Sequence, residues 1–353
     1  MEVPKTQRAL VVHDFSKGPV LETNYPVKEP GNGEILVHIK YSGVCHSDVE
    51  LVEGKSAVPI PLPAVCGHEA TGIVAKVGEN VTNFTVGEKV GIMMTFFSCQ
   101  NCEHCKAASE FHCEKVKYAA VHVHGTFQEY TVVAAHHVHR LPENVDMAKA
   151  ASLHCAESNV KPGEFVVITG AAGGLGSFAL QFARAMGMRP IAVDLGSDKQ
   201  QHCLDLGAEH FFDATHPDLV KKIIVFTNGG PHGVVNVATA TKPVEDSMRY
   251  IRKRGTIVVV GLPRNPIFQA NIMVLVSKGV TLKGSILGSR RDMDEVISFF
   301  ARGIIKVPVK VMTLDDVPDV LKMLHENKVT GRIVVDPSQK KNQDFSSDKN
   351  CKM

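Results

Sequence analysis

Two groups of residues in this chain have the types and spacing to hold a metal ion. The tighter one is Cys99-x2-Cys102-x2-Cys105-x7-Cys113, four thiols within fifteen residues. Four thiolates offered by one short loop suit a closed tetrahedral zinc. An iron–sulfur cluster opens on the same spacing, but in the bacterial ferredoxin pattern the fourth cysteine follows sooner and a proline succeeds it. Here Glu114 follows the fourth cysteine. Disulfides are the third reading. They are disfavoured because the N-terminus MEVPKTQRAL does not read as a secretion leader, so the nine cysteines read as ligands or free thiols.

The second group is looser: Cys45-His46-Ser47-Asp48, then His68-Glu69 within CGHEATG, then Cys155. A thiolate and an imidazole are good zinc ligands, and Asp48 could orient the His68 ring from behind. Any one of these residues alone is more often an ordinary loop residue, but together they read as a Cys2His site. A third cluster, His136, His137 and His139, could be another metal site, though a solvated surface strand is the expected reading.

The elements that would position a ligand are clearest between Phe165 and Asp194, FVVITGAAGGLGSFALQFARAMGMRPIAVD. An apolar run (165–169) reads as a strand buried on both faces, and Phe178–Met186 has the spacing of a helix. Between them lies the cluster Gly170, Gly173, Gly174 and Gly176. A second apolar run ends on Asp194, eighteen residues past the last of those glycines. Glycines allow a sharp turn and close approach to a pyrophosphate, whose charge sits at the helix N-terminus. The acid can accept hydrogen bonds from an adenosine ribose and would repel a 2′-phosphate, which points to NAD rather than NADP. The fingerprint is displaced to G-x-x-G-G-x-G, but strand, helix and acid all fall in place.

With 353 residues the chain can build two cores. Lys plus Arg (39) nearly balance Asp plus Glu (37), which argues against nucleic acid or an anionic membrane as the main partner. No apolar run reaches membrane-spanning length, so a cytoplasmic protein is expected. Residues up to about 150 read as short β segments broken by glycine and proline, at 35–41, 71–77, 89–94 and 125–134. Beyond Asp194, further strands are expected at 233–238, 256–262 and 280–285, and a helix at 292–302. A β-like stretch from Lys306, a helix at 317–326 and a closing strand at 331–336 follow. The polar end of the chain, with Cys351, reads as disordered.

Taken together, YSGVCHSD, GHEATGIVAKVGENV, the four-cysteine lobe, GTFQEY, GAAGGLGSFALQFARAMG, GGPHGVVNV, GTIVVVGLP, FFARG and GRIVVD resemble the zinc-containing medium-chain alcohol dehydrogenases. Within that family the likeness is nearest to the tetrameric enzymes of yeasts and other fungi. The resemblance implies an α/β plus β chain: a GroES-like β-rich catalytic domain with an inserted Rossmann cofactor domain, a doubly wound parallel sheet. The expected layout is 1–155 for the catalytic domain with its lobe at 99–113, and 161–290 for the Rossmann domain. Residues 291–337 would return to the catalytic domain and 338–353 would form the tail. Cys45, His68 and Cys155 match ligands of a catalytic zinc, Glu69 matches an acid that can also ligate it, and the lobe matches a structural zinc. Ser47 matches the hydroxyl that takes the alcohol's proton. His46 and Arg332 match groups near the cofactor phosphates; Gly173, Gly174, Leu175 and Gly176 match the pyrophosphate turn; Asp194 and Lys199 match the ribose contacts. Gly261, closing GTIVVVG, is expected in the cofactor site. The implied reaction is hydride transfer between an alcohol and NAD, in a homotetramer or homodimer.

Three departures stand out. Glu50 occupies the place of a histidine that ends the proton relay of the yeast enzymes, and Ser56 and Met94 stand where they carry pocket tryptophans. Only AESNVKPG, eight residues, separates Cys155 from Glu164, where the family has a threonine-bearing helix of several turns. That gap raises the alternative of a relative that binds zinc and NAD but turns over poorly. A zinc-free quinone reductase of the same superfamily is disfavoured by Cys45, His68 and Cys155.

Overall fold

The computed structural model describes residues 2–55, 58–151, 160–263, 266–307, 309–326, 329 and 332–340. Ser56, Cys155, residues 156–159 of the link and the tail beyond 340, with Cys351, lie outside the described residues. The chain divides into two units: one formed by Met1–Leu153, Ser289–Ala301 and Val307–Met353, the other by His154–Gly288 and Arg302–Lys306.

The second unit is a six-stranded parallel sheet, ordered 210–213, 189–194, 165–169, 233–236, 256–259, 281–284. Its central strands are apolar on both faces, as a sheet covered by helices on either side requires. Alternation along Phe165–Thr169 divides the two cores. Val166 and Ile168 pack with Leu180 and Ala183, and Val167 packs with Ile223, Met248 and Ile251. Leu180 is fully buried, so truncating it to alanine would cost about 2–5 kcal/mol. The strand order reverses between Phe165–Thr169 and Gly233–Asn236, so the crevice where a doubly wound sheet takes its ligand lies at their C-terminal ends. The helix expected from Phe178 begins a turn earlier, at Gly174, capped by Gly173 in an extended conformation. Glycine is a poor helix former, so propensity hides this first turn. Contact explains it: a Cβ on Gly176 would lie 2.2 Å from the Gly170 carbonyl oxygen.

The first unit is β-rich, as expected. Its main sheet runs 138–140, 89–92, 70–77, 34–44, 332–336, 309–313, with 130–134 also paired to 34–44. The strand Arg332–Asp336, almost at the end of the chain, inserts antiparallel to Glu34–Val44, with Ile333 opposite Val44. That register brings Arg332 beside Cys45. Strands Thr6–Val12 and Pro19–Pro26, paired antiparallel, were not evident from sequence. The second of them is half-exposed and without clean alternation.

Candidate active site

Cys45 is the N-cap of the helix His46–Val52 and has an extended backbone (φ −120°, ψ 161°). Asp48, at the third helical position, closes this cap by accepting the Cys45 N–H at Oδ2, 2.9 Å away. Its other oxygen, Oδ1, lies 3.0 Å from His68 Nδ1. Asp48 is fully buried and His68 is 7% exposed, so the contact is shielded from water. With Nδ1 held, Nε2 of His68 is turned toward the helix start, 3.5 Å from Ser47 Oγ. Burial pushes the Cys45 thiol up, but the His68 ring beside it outweighs this and draws the thiol toward thiolate. Burial would also strip a proton from His68, yet Asp48 and Cys45 hold it protonated well above the ordinary imidazole range. The ring thus carries a proton toward the Cys45 sulfur, held between that thiolate and the Asp48 carboxylate. A divalent metal would satisfy the same need, so this donor set fits zinc.

Glu69 and Arg332 form an ion pair behind this group, with side chains 3% and 6% exposed. Space for Glu69 exists only because position 43 is glycine: a Cβ there would lie 2.4 Å from Glu69 Oε1. The expected catalytic residues Cys45, Ser47 and His68 therefore converge, joined by Glu69, expected as a further zinc ligand, and by Arg332, expected near the cofactor phosphates and found paired to Glu69. His46 and Glu50 are half-buried on the same helix, and Met94 packs against the core beneath it. Cys155 and Ser56 lie outside the described residues.

The four cysteines of the lobe come together, with all four Sγ atoms within 4.8 Å of one another. Cys99 and Cys105 are 4.0 Å apart, near the separation two thiolates take on one tetrahedral zinc. Backbone N–H groups of Asn101 and Cys102 lower the Cys99 thiol to about 6, so it is a ready thiolate at neutral pH.

The histidine cluster departs from expectation. His137 and His139 are buried, 3% and 5% exposed, rather than solvated on a surface strand. His137 Nε2 meets Ser98 Oγ at 2.9 Å and His139 Nδ1 meets Asp294 at 3.2 Å. These rings anchor the lobe and the helix Arg290–Ala301; among the described residues they form no metal-holding group.

In the second unit, Gly170 adopts φ +70° and the chain turns back so that Gly173 N–H reaches the Gly170 carbonyl at 3.1 Å. The Ala172 N–H donates to Asp194 Oδ2 at 2.8 Å, and Lys199 Nζ lies 2.9 Å from Oδ1. Asp194 therefore braces the glycine turn as well as closing its strand. Gly173 and Gly174, without side chains, form the N-terminus of Gly174–Ala185, which suits the close approach of a pyrophosphate. Gly261, whose N–H donates to the Asn236 carbonyl at 3.0 Å, closes the far side of the reversal. The sequence reading passed over Thr169 and Asn236, paired in register as the last residues of the two strands that flank it. Only their position at the strand ends could have drawn attention to them.

Comparison with known proteins gives the family of the chain. Residues 31–143 match the family described as alcohol dehydrogenase GroES-like domain, and residues 174–302 match zinc-binding dehydrogenase. Alcohol dehydrogenase 1 of Caenorhabditis elegans is 44% identical over 95% of this chain and 99% of its own length. Alcohol dehydrogenase 1 of Neurospora crassa, a fungal relative, is 41% identical over 96% and 99%. The crystal structure of an NAD-dependent alcohol dehydrogenase superposes with a TM-score of 0.86 at 27% identity, covering 94% of this chain and all of that one. The chain belongs to the zinc-containing medium-chain alcohol dehydrogenases.

Proposed function

We propose that this chain interconverts alcohols with aldehydes or ketones, passing a hydride between the carbinol carbon and NAD. The observation that carries the reading is the convergence of Cys45, Ser47 and His68 around a buried Asp48. Cys45, His68 and Cys155 would hold a zinc ion, which when bound would supply Lewis acidity toward the substrate oxygen. Ser47, beside His68, takes the proton released by the alcohol. Asp48 keeps the His68 ring in one tautomer and orientation. Glu69, neutralised by Arg332, stands behind the ligands as a reserve carboxylate. Asp194 and Lys199 take the adenosine ribose, and the Gly173–Gly176 turn takes the pyrophosphate, with His46 toward the phosphates. A second zinc in the Cys99–Cys113 lobe is structural.

The substrate we infer is an alcohol bulkier than ethanol, because Ser56 and Met94 replace large rings and methionine adapts to varied shapes. Initial rates of NADH formation across a panel of primary, secondary and aromatic alcohols test both points. No turnover by zinc-loaded protein would overturn the reading in favour of an impaired relative, as the short link after Cys155 suggests. A preference for ethanol would overturn the size argument alone.

We further infer a cytoplasmic homo-oligomer, a tetramer or a dimer. The seven described cysteines are free thiols, which suits a reducing compartment. Among the described residues the strand Thr281–Gly284 is the last of its sheet, and it is exposed at all four positions. Near it in sequence, Ile267, Ile272, Met273 and Val276 are 74–87% exposed, large apolar side chains that association with a second copy would cover. Light scattering on the eluted protein reads the assembly directly.

A further inference from the structure

The Asn236 side chain is 1% exposed, and among the described residues its Nδ2 has no hydrogen-bond partner. Thr169 donates its hydroxyl to Oδ1, which leaves both amide protons unused. Exchanging the amide oxygen and nitrogen would strand the oxygen instead, so one polar atom stays unpaired in either orientation. A buried donor without an acceptor is destabilising, and a folded protein keeps such a group where something else satisfies it.

The position says what that is. Asn236 ends the strand Gly233–Asn236 and Thr169 ends Phe165–Thr169, and the two are register partners across the reversal of strand order. The Asn236 carbonyl is already committed, accepting N–H groups from Val260 at 2.9 Å and Gly261 at 3.0 Å. Its backbone therefore cannot shift to relieve the side chain. The half of the sheet carrying the glycine turn and Asp194 takes the adenosine end of a dinucleotide. Asn236 opens the other half, which takes the nicotinamide end.

We propose that Asn236 is a cofactor-positioning residue: its side-chain amide is held in reserve by Thr169 and donates, directly or through one trapped water, to the nicotinamide half of bound NAD. This assignment rests on the NAD reading above. It differs from the glycine turn and Asp194, which serve the other half.

The test is binding rather than turnover. Titrations of NADH and of ADP, which lacks the nicotinamide and its ribose, are run on the unmodified protein and on Asn236→Leu. One neutral hydrogen bond predicts NADH affinity weaker by about tenfold, with ADP changed by less than about twofold. If the leucine variant does not fold, Asn236→Ser, too short to reach beyond Thr169, is expected to show the same split. Unchanged NADH affinity, or equal loss for both ligands, would overturn the assignment. Failure of the unmodified protein to bind NADH would overturn the NAD reading and this assignment with it. Bridging by water is distinguished by Asn236→Asp, which can accept from a water but repels a phosphate: a smaller NADH loss than in Asn236→Leu indicates the water, a larger one direct donation.

Discussion

Oδ1 of Asp48 lies 3.0 Å from Nδ1 of His68, while the opposite oxygen of the same carboxylate caps the helix that begins after Cys45. One buried acid thus sets the ring of one ligand and the backbone of another. Asp48→Asn keeps the shape but loses the charge and one acceptor. Zinc affinity at this site is expected to fall about 10–100-fold, with turnover falling alongside. A chelator competition titration measures the first, and an unchanged zinc affinity would mean that Asp48 only caps the helix.

The lobe is a local site, so its metal is expected to survive changes at Cys45 and His68. Cys102→Ser with Cys105→Ser should remove about one zinc per chain and lower the melting temperature, because structural zinc contributes to folding. Zinc retention should also fall on acidification, as protons compete with the metal for the four thiolates. Elemental analysis of dialysed samples reads both effects.

His137 gives stability a definite pH slope. Burial, reinforced by the neighbouring His136 and Arg290, depresses its pKa to about 3. The unfolded chain binds this proton near pH 6.5 and the folded chain cannot, so the stabilisation is complete above that pH and is lost progressively on acidification. Between pH 7 and pH 5 the loss from this residue should be about 2 kcal/mol. Urea unfolding of His137→Gln at the two pH values should show a correspondingly smaller difference than the unmodified protein. An identical pH dependence would mean that His137 is not the group responsible.

Asp194, proposed above to take the ribose, also accepts the Ala172 N–H at 2.8 Å. Asp194→Ala is therefore expected to act twice. It should weaken NAD more than NADP, narrowing the preference. It should also cost about 1–3 kcal/mol of stability by leaving the buried N–H without an acceptor. Cofactor titrations and thermal unfolding separate the two, and equal affinity of the unmodified protein for NAD and NADP would remove Asp194 from the ribose site.

What could be read from sequence was local. Four cysteines within fifteen residues can meet on one ion without the rest of the fold, and strand, glycine turn and helix follow from neighbours in the chain. So Cys99–Cys113 and the Phe165–Asp194 unit were legible, along with most strands of both units. The tertiary structure decided what depends on register and burial. Arg332 meets Glu69 because the strand Arg332–Asp336 pairs with Glu34–Val44 across nearly the whole chain. His137 and His139 read as polar surface residues, yet the fold closes over them, since hydrogen bonds to Ser98 and Asp294 offset the loss of water. The first turn of Gly174–Ala185 was hidden because close approach to Gly170 overrides the poor helix propensity of glycine. Thr169 and Asn236 are separated by 67 residues, and only parallel pairing of their strands makes them neighbours.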